Sequence, residues 1–531
     1  MKKVRYILTT LTAVFGLISC DDYLKVDPTN AIKVDNFYQT SSQIDDALNG
    51  LYGTLKPLPK YLFVMSEMRS DNVWVYTDTK QNDYADVATF NANGLLTDNI
   101  VKTCWADYFT TVAAANTFIE KTEACEDFTN EAAKTQYLAE ARFIRALAYF
   151  DLVRFFGRVP MATKALTVNE AFELGQSETT ELYSQLIVPD LQYAVEHLAE
   201  NAFDWLNATH PERVTQVAAK ALLGKVYLTM AGFPLYETDK KPLATALFKE
   251  VLDYADSKGK YWAADMNEWN HMWMHENDNK YYIFEIQYIA SAGEGNSMVT
   301  LSVPGSLGTE WCTKNLATGT HLYVEKGLQR HYIEKDAITG VYYDQRVDGT
   351  LNLKESQTDD GTIVTSTSDT FYVKFFESKV KRAKLGYSDM DAQIVDRTYW
   401  PQNYPIIRLE DVMLLYAECV GNTTEGYNMV NKIRQRAGLP ELSGLSEEAF
   451  QEAVANERRY ELAEEGHRWF DLVRQNKYVE TLKAMFINDD TTVSGQYSVF
   501  ANRVTEDMYL YPIPQSQIEV RAGLYTQNPG Y

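Results

Sequence analysis

The chain has 531 residues, 45% of them hydrophobic and 23% charged, with 15 Pro and 27 Gly; this is globular usage and leaves neither disorder nor a fibrous fold as the dominant state. Its 50 Lys and Arg stand against 73 Asp and Glu, a formal charge of −23, so a phosphate backbone would meet a repulsive field and nucleic acid is excluded as a partner. Aromatic residues reach 13%, with 36 Tyr, 23 Phe and 9 Trp, more than a helical core requires, and such side chains suit cores or flat, amphipathic ligands.

Lys2, Lys3 and Arg5 precede a mostly apolar stretch over residues 6–18, shorter than the ~20 residues a spanning helix needs, and this reads as an export signal. It closes in Leu17-Ile18-Ser19-Cys20, which resembles the lipobox of bacterial lipoproteins. That resemblance implies cleavage before Cys20 and lipidation of its sulfur, a stable tether of several acyl chains. Residues 1–19 are therefore expected to be a signal peptide, and residues 20–531 one continuous α domain held at the membrane by lipid alone. Loss of Lys2, Lys3 and Arg5 deepens the formal charge from −23 to −26. Asp21-Asp22 after the cysteine resembles the outward sorting signals of some Gram-negative groups, so an outer-membrane position facing the exterior is expected. Cys104, Cys125, Cys312 and Cys419 are irregularly spaced, without a C-x-x-C, and are expected as buried free thiols.

In chain order the pattern is helical. Thr40-Ser41-Ser42 offers N-caps before Ile44, Ala47, Leu48, Leu51 and Tyr52, which recur at helical spacing and predict a helix ending near Gly53. Further helices are predicted over 102–123 and 135–156, the latter bounded by Gly157 and Pro160 and apolar almost all round, as in a helix sandwiched between neighbours. Others follow over 181–199, 217–230, 243–254, 409–420, 424–437 and 446–476. Leu223-Gly224-Lys225-Val226-Tyr227 matches the L-G-x-x-Y element of tetratricopeptide repeats, although no ~34-residue period survives. Residues 281–288, 362–376 and 509–513 read as short strands or extended loops, with Asp360-Gly361 as a turn. The expected fold is mainly α: a tetratricopeptide-like scaffold of helical pairs forming a superhelix, interrupted by long loops and short strands.

The sequence holds no P-loop, dinucleotide fingerprint, G-x-S-x-G elbow or H-E-x-x-H, so the familiar nucleotide and hydrolase chemistries lose support. His271 and His275, spaced i, i+4, could place two imidazoles on one helix face. Two ligands do not make a site, and no metal, cofactor or catalytic residue is expected. Asp71, Asn72, Trp74 and Tyr76 lie in a polar, loop-like stretch. Sugar rings pack their C–H faces on aromatic rings while Asp and Asn pair with hydroxyls, so these four are candidate glycan contacts. Trp74 could equally cap the core, and the sequence leaves both readings open. Trp311, beyond a Gly-rich loop over 292–296, is a second candidate platform, whereas Trp269 and Trp273 of the Tyr261-Trp262-Trp269-Trp273 cluster are expected in the core.

The residues after Cys20, Asp21-Asp22-Tyr23-Leu24-Lys25-Val26-Asp27-Pro28, then Phe37 and Ala47-Leu48-Asn49-Gly50-Leu51-Tyr52, are similar to the start of SusD/RagB-family outer-membrane lipoproteins. Ile407-Arg408-Leu409-Glu410-Asp411, Lys432-Ile433-Arg434-Gln435-Arg436-Ala437-Gly438, Glu465-Gly466-His467-Arg468-Trp469-Phe470-Asp471 and the closing Asn528-Pro529-Gly530-Tyr531 continue that resemblance over nearly the whole mature chain. It implies an N-terminal region of about residues 20–230, a C-terminal region of about 270–531, and a surface lipoprotein that captures oligosaccharides without cleaving them and passes them to a SusC-like TonB-dependent transporter. Contacts to the glycan would come from the neighbourhoods of Trp74 and Trp311. A peptide-binding or structural adaptor of such a transporter and a surface glycoside hydrolase are the alternatives. On their own, Glu457, Arg458, Arg459, Glu461 and Arg468 read as a helical ion-pair ladder at i, i+3 and i+4, with Trp469 and Phe470 packed beneath.

Overall fold

The structure is a computed structural model that describes residues 37–74, 82–128, 130–200, 213–277, 280–291, 293–302, 323–357, 363–388, 390, 400–488 and 496–531. Cys20, Tyr76, Trp311 and Cys312 lie outside the described residues.

The protein is mostly helical, with short paired strands. Helix α1 (Ser41–Gly53) opens on a capping box in which the Thr40 and Gln43 side chains each bond the other's backbone. It is followed by α2 (Asn99–Ala124) and α3 (Glu131–Phe156). α3 buries residues on every side, as its all-round apolar pattern predicts, and Gly157, at a φ of 69°, ends it. The predicted helix over 181–199 is interrupted: Thr179–Leu182 leads into a π turn over Tyr183–Ile187 and then α4 (Val188–His197). Pro189 carries no N–H and its ring crowds the carbonyl four residues back, which a wider turn relieves.

α5 (Gln216–Ala231) and α6 (Lys240–Lys258) form the pair that carries the tetratricopeptide-like element. A Cβ at Gly224 would sit 2.7 Å from Phe248 Cε1, so the glycine is what lets the two helices close on each other. Beyond α7 (Lys326–Ile333) come α8 (Leu409–Val420), α9 (Thr424–Arg436), α10 (Glu447–Glu461), α11 (Arg468–Arg474), α12 (Tyr478–Asn488) and α13 (Gln496–Arg503). Each helix from α2 to α5 packs on the next, α6 packs on α8, and α8 on α9, so the stack runs through both halves of the chain. The larger core cluster accordingly draws on residues from Ile44 to Ile513.

The strands pair as two-stranded antiparallel ribbons: β1 (Val73–Trp74) with β5 (Tyr323–Val324), β2 (Val159–Pro160) with β3 (Gln176–Ser177), β4 (Tyr282–Ile286) with β8 (Tyr404–Arg408), and β6 (Leu351–Gln357) with β7 (Ile363–Tyr372). Residues 509–513 follow the extended-loop alternative of the sequence reading and form no strand. A 3-10 turn spans Glu506–Tyr509, and the Tyr511 N–H bonds the Phe155 carbonyl at the end of α3 at 2.7 Å. Trp269 and Trp273 are fully buried, as expected. Cys104 and Cys125 are buried free thiols, while Cys419 is only half-buried.

The predicted helix over 446–476 is two helices, α10 and α11, separated by a turn in which Glu464 and Gly466 take φ of 74° and 76°. A Cβ at Gly466 would lie 2.7 Å from Leu62 Cβ, and its N–H donates to Glu67 Oε1 at 2.7 Å. The ion-pair ladder expected along this helix does not form among the described residues. Glu461 instead takes Arg436 Nη2 at 2.7 Å, Arg346 Nη1 at 2.8 Å and Arg408 Nη1 at 3.2 Å, with all four side chains 0–1% exposed. Burial alone would raise the Glu461 carboxyl, but these guanidinium groups hold it well below the usual carboxylate range. Arg458 likewise turns inward, to Asp471 at 2.9 Å and Asp411 at 2.8 Å. These charges sit inside because partners remote in sequence surround them, which helix periodicity cannot reveal.

Candidate functional site

Of the residues that the sequence marks for ligand contact, Asp71, Asn72 and Trp74 are described, and all three are interior. Asp71 is gripped by Arg468 through Nε at 2.7 Å and Nη2 at 3.0 Å, and by Arg459 Nε at 3.2 Å. Burial disfavours the carboxylate, yet Arg459 and Arg468 outweigh it and hold Asp71 down at about 2. Asn72 donates to Glu67 Oε2 at 2.7 Å and accepts from Arg459 Nε at 3.0 Å. Its carbonyl takes the Tyr372 hydroxyl at 2.7 Å and the Glu325 N–H at 3.0 Å. Trp74 is 4% exposed and packs on Phe486 of α12, ring centroids 6.1 Å apart. The polar groups of Asp71 and Asn72 and the indole of Trp74 are thus engaged by the protein itself, and Trp74 follows the core-capping reading rather than that of an open stacking platform.

What these residues build is a base. Val73 pairs with Val324 and Trp74 with Tyr323. Arg459 reaches from α10 to Glu325 at 2.9 Å, and its guanidinium also meets the Asp71 carbonyl. Strands β1 and β5 are thereby pinned to α10 and α11.

Beside that base lies a cleft of about 610 Å³, walled by α10, α11 and α12, with Asp71, Arg459 and Arg468 in its lining. Gln451, Asn456, Gln475 and Thr481 add amide and hydroxyl groups, and Glu448, Glu452 and Glu480 add carboxylates, against Ala455 and Leu472 as its apolar members. Its volume is that of a small-ligand site, ~300–1,000 Å³, but its lining is far more polar than usual. It can recognise a hydroxyl-rich solute through amides and carboxylates and offers an apolar one little. Arg459 and Arg468 were legible only as helix charges; their partner Asp71 lies almost 400 residues earlier, and no local signal links them.

His271 and His275 do not converge. His271 Nδ1 meets the Tyr387 hydroxyl at 2.7 Å, while His275 Nδ1 meets Glu377 Oε2 at 3.0 Å. His275, Glu276 and Glu377 form a group of metal-ligating type, but the Arg382 guanidinium bonds both carboxylates and already supplies the cation. Burial opposes the imidazolium, and the bond to and charge of Glu377 still raise His275 above its ordinary value.

Comparison with known proteins places these features in context. A model described as the SusD family matches residues 266–531, and one described as starch-binding, associating with outer membrane, matches 22–228. The chain is similar to SusD-like protein P25 of Formosa agariphila, 24% identical over 506 residues, covering 89% of this chain and 90% of that one. A SusD-like protein of Bacteroides ovatus is 24% identical over 549 residues, covering 98% and 94%. Among solved structures, a SusD homolog from Bacteroides thetaiotaomicron superposes with a TM-score of 0.75 at 24% identity, covering 94% of this chain and 98% of that one. A laminarin binding SusD-like protein does so with a TM-score of 0.70 at 24% identity, covering 93% and 100%.

Proposed function

The chain belongs to the SusD family, and on that premise we propose that it is a non-catalytic surface lipoprotein, anchored through Cys20, that captures oligosaccharides and delivers them to a SusC-like TonB-dependent transporter. The observation that carries the reading is the β1–β5 pair. Trp74 and Tyr323 are register partners next to a polar cleft lined by Asp71. Aromatic faces together with amides and carboxylates are the groups that sugar rings require. Two neighbours in fold are described as a laminarin binding protein and as surface glycan-binding protein A from Bacteroides uniformis, which supports the ligand class. The family description of outer-membrane association supports the location, and among the described residues no helix is long and apolar enough to cross a membrane.

The contacts we assign are Tyr76 and Trp311, with Asp71, Asn72 and Trp74 as the rigid base. A glycan array on the form lacking residues 1–20 identifies the ligand. Tyr76→Ala and Trp311→Ala should each weaken it about tenfold, a stacking contribution of ~1–1.5 kcal/mol, without new reducing ends appearing in either protein. Unchanged affinity in both variants overturns the site. Release of reducing ends overturns the non-catalytic assignment.

A further inference from the structure

Away from the Asp71 cleft, a second cavity of about 440 Å³ opens between α6 and α9, floored by α8. Its floor is apolar, made of Leu252, Leu409, Met413 and Met429 beside the Tyr416 ring, and its rims are charged. The rims are graded. At one end Glu425 accepts the Tyr416 hydroxyl at 2.6 Å, and Asp253 lies close enough to act on the same phenol. Lys249 is paired with Asp253 there and also feels Glu425, so this end is net acidic. At the other end Lys260 joins half-buried Trp262, over whose ring Lys432 sits at 4.7 Å; Arg436, at the same ring, is spent on Glu410 and Glu461, and among the described residues Asp256 is the one carboxylate lining the rim beside the two lysines. That end is net basic.

The grading names the occupant. A neutral sugar could bond to either rim but leaves the opposite net charges of the two ends uncompensated, and a nonpolar ligand would leave them desolvated. A Met-bearing floor accommodates aliphatic side chains of varied shape. From Lys249 to Lys258, nine helical steps of ~1.5 Å and the turn to Lys260 make a trough ~14 Å long, the reach of about four residue steps of extended chain at ~3.3 Å each. We infer that the trough between α6 and α9 docks an extended peptide segment of a partner protein, with an aliphatic side chain on the Leu252–Met413–Met429 floor, a basic residue towards Asp253 and Glu425, and an acidic residue towards Lys260 and Lys432. This inference does not rest on the glycan reading and survives or fails apart from it.

Calorimetric titration of the full mature chain with acetyl-Lys-Ala-Leu-Ala-Asp-amide tests it. The peptide should bind, and exchanging its Leu for Ser should weaken it about tenfold, as loss of a buried aliphatic side chain does. The double variant Lys260→Glu, Lys432→Glu should lose the peptide and gain acetyl-Lys-Ala-Leu-Ala-Lys-amide in its place, an exchange of specificity that misfolding cannot produce. Lys260→Glu alone, on the rim, should weaken the first peptide while leaving the unfolding midpoint in place. No binding of the first peptide at millimolar concentration, binding indifferent to both charge variants, or occupation of the trough by maltohexaose in its stead overturns the inference.

Discussion

Helix α3 and the turn between α10 and α11 are equally buried and opposite in composition. α3 contributes Phe143, Ile144, Leu152 and Phe155, each 0% exposed, and reads as an interior helix from its pattern alone. The end of α10 and the turn after it contribute Glu461, Glu464 and Glu465, with Arg408 and Lys374 among them, each at 0–1% exposed. Lys374 Nζ meets Glu465 Oε1 at 2.8 Å and the Ala463 carbonyl at 2.6 Å, and Arg408 Nε meets Glu465 Oε2 at 2.7 Å. An apolar interior is assembled from residues that each prefer burial. A charged interior exists only when all its members arrive, since each alone is costly to desolvate. The first is additive and tolerant, the second collective.

The sharpest way to break that contrast is Glu461→Ala, which leaves Arg346, Arg408 and Arg436 facing one another inside. A loss of about 3–5 kcal/mol is expected in urea unfolding, and 1 M salt should restore little, because buried charges are poorly screened. A cost under about 1 kcal/mol would show that the network behaves as a surface one. Leu152→Ala in α3 should cost about 3 kcal/mol through lost burial and the cavity left behind; a larger loss than for Glu461→Ala would reverse the ranking. A third test is a pH dependence. Burial pushes Glu464 up to about 8, against the opposing charge of Lys374. An unfolded Glu titrates near ~4.3, so between the two values the folded state keeps a proton that the unfolded state has released, and stability falls as pH rises through that window. Glu67 and Glu140, raised by burial to about 7, act in the same direction, and His467, lowered by burial to about 3, acts against them. Glu464→Gln should flatten the decline in unfolding midpoint between pH 5 and pH 8, with the variant the more stable at pH 8. An undiminished decline would mean that Glu464 is ionised in the fold.

The same division runs through what was legible. The helices of the stack, including α8 over 409–420 and the close approach at Gly224, follow from apolar spacing and small residues, which local sequence records directly. The candidate site was legible in part. Asp71 was marked by its neighbours in sequence and does line a cleft, but the reason Trp74 is covered is Phe486 of α12, and the reason Asp71 is charged is a pair of arginines from α10 and α11. Neither fact has a local signature. Nor does the trough between α6 and α9, since Asp253 on α6 and Lys260 just past its end read as ordinary solvated charges until α9 is set opposite.

By itself the sequence determined the mainly α scaffold, the expectation of an export signal and lipid anchor, the family resemblance and the acidic balance, all of which depend on composition and short-range order. Tertiary structure decided which charges are interior, which aromatic rings are covered, and that β1 pairs with β5. The physical reason is that burial of a charge or a ring is a property of the partners around it, and here those partners come from segments up to some 400 residues away, brought together by helix packing that no single segment encodes.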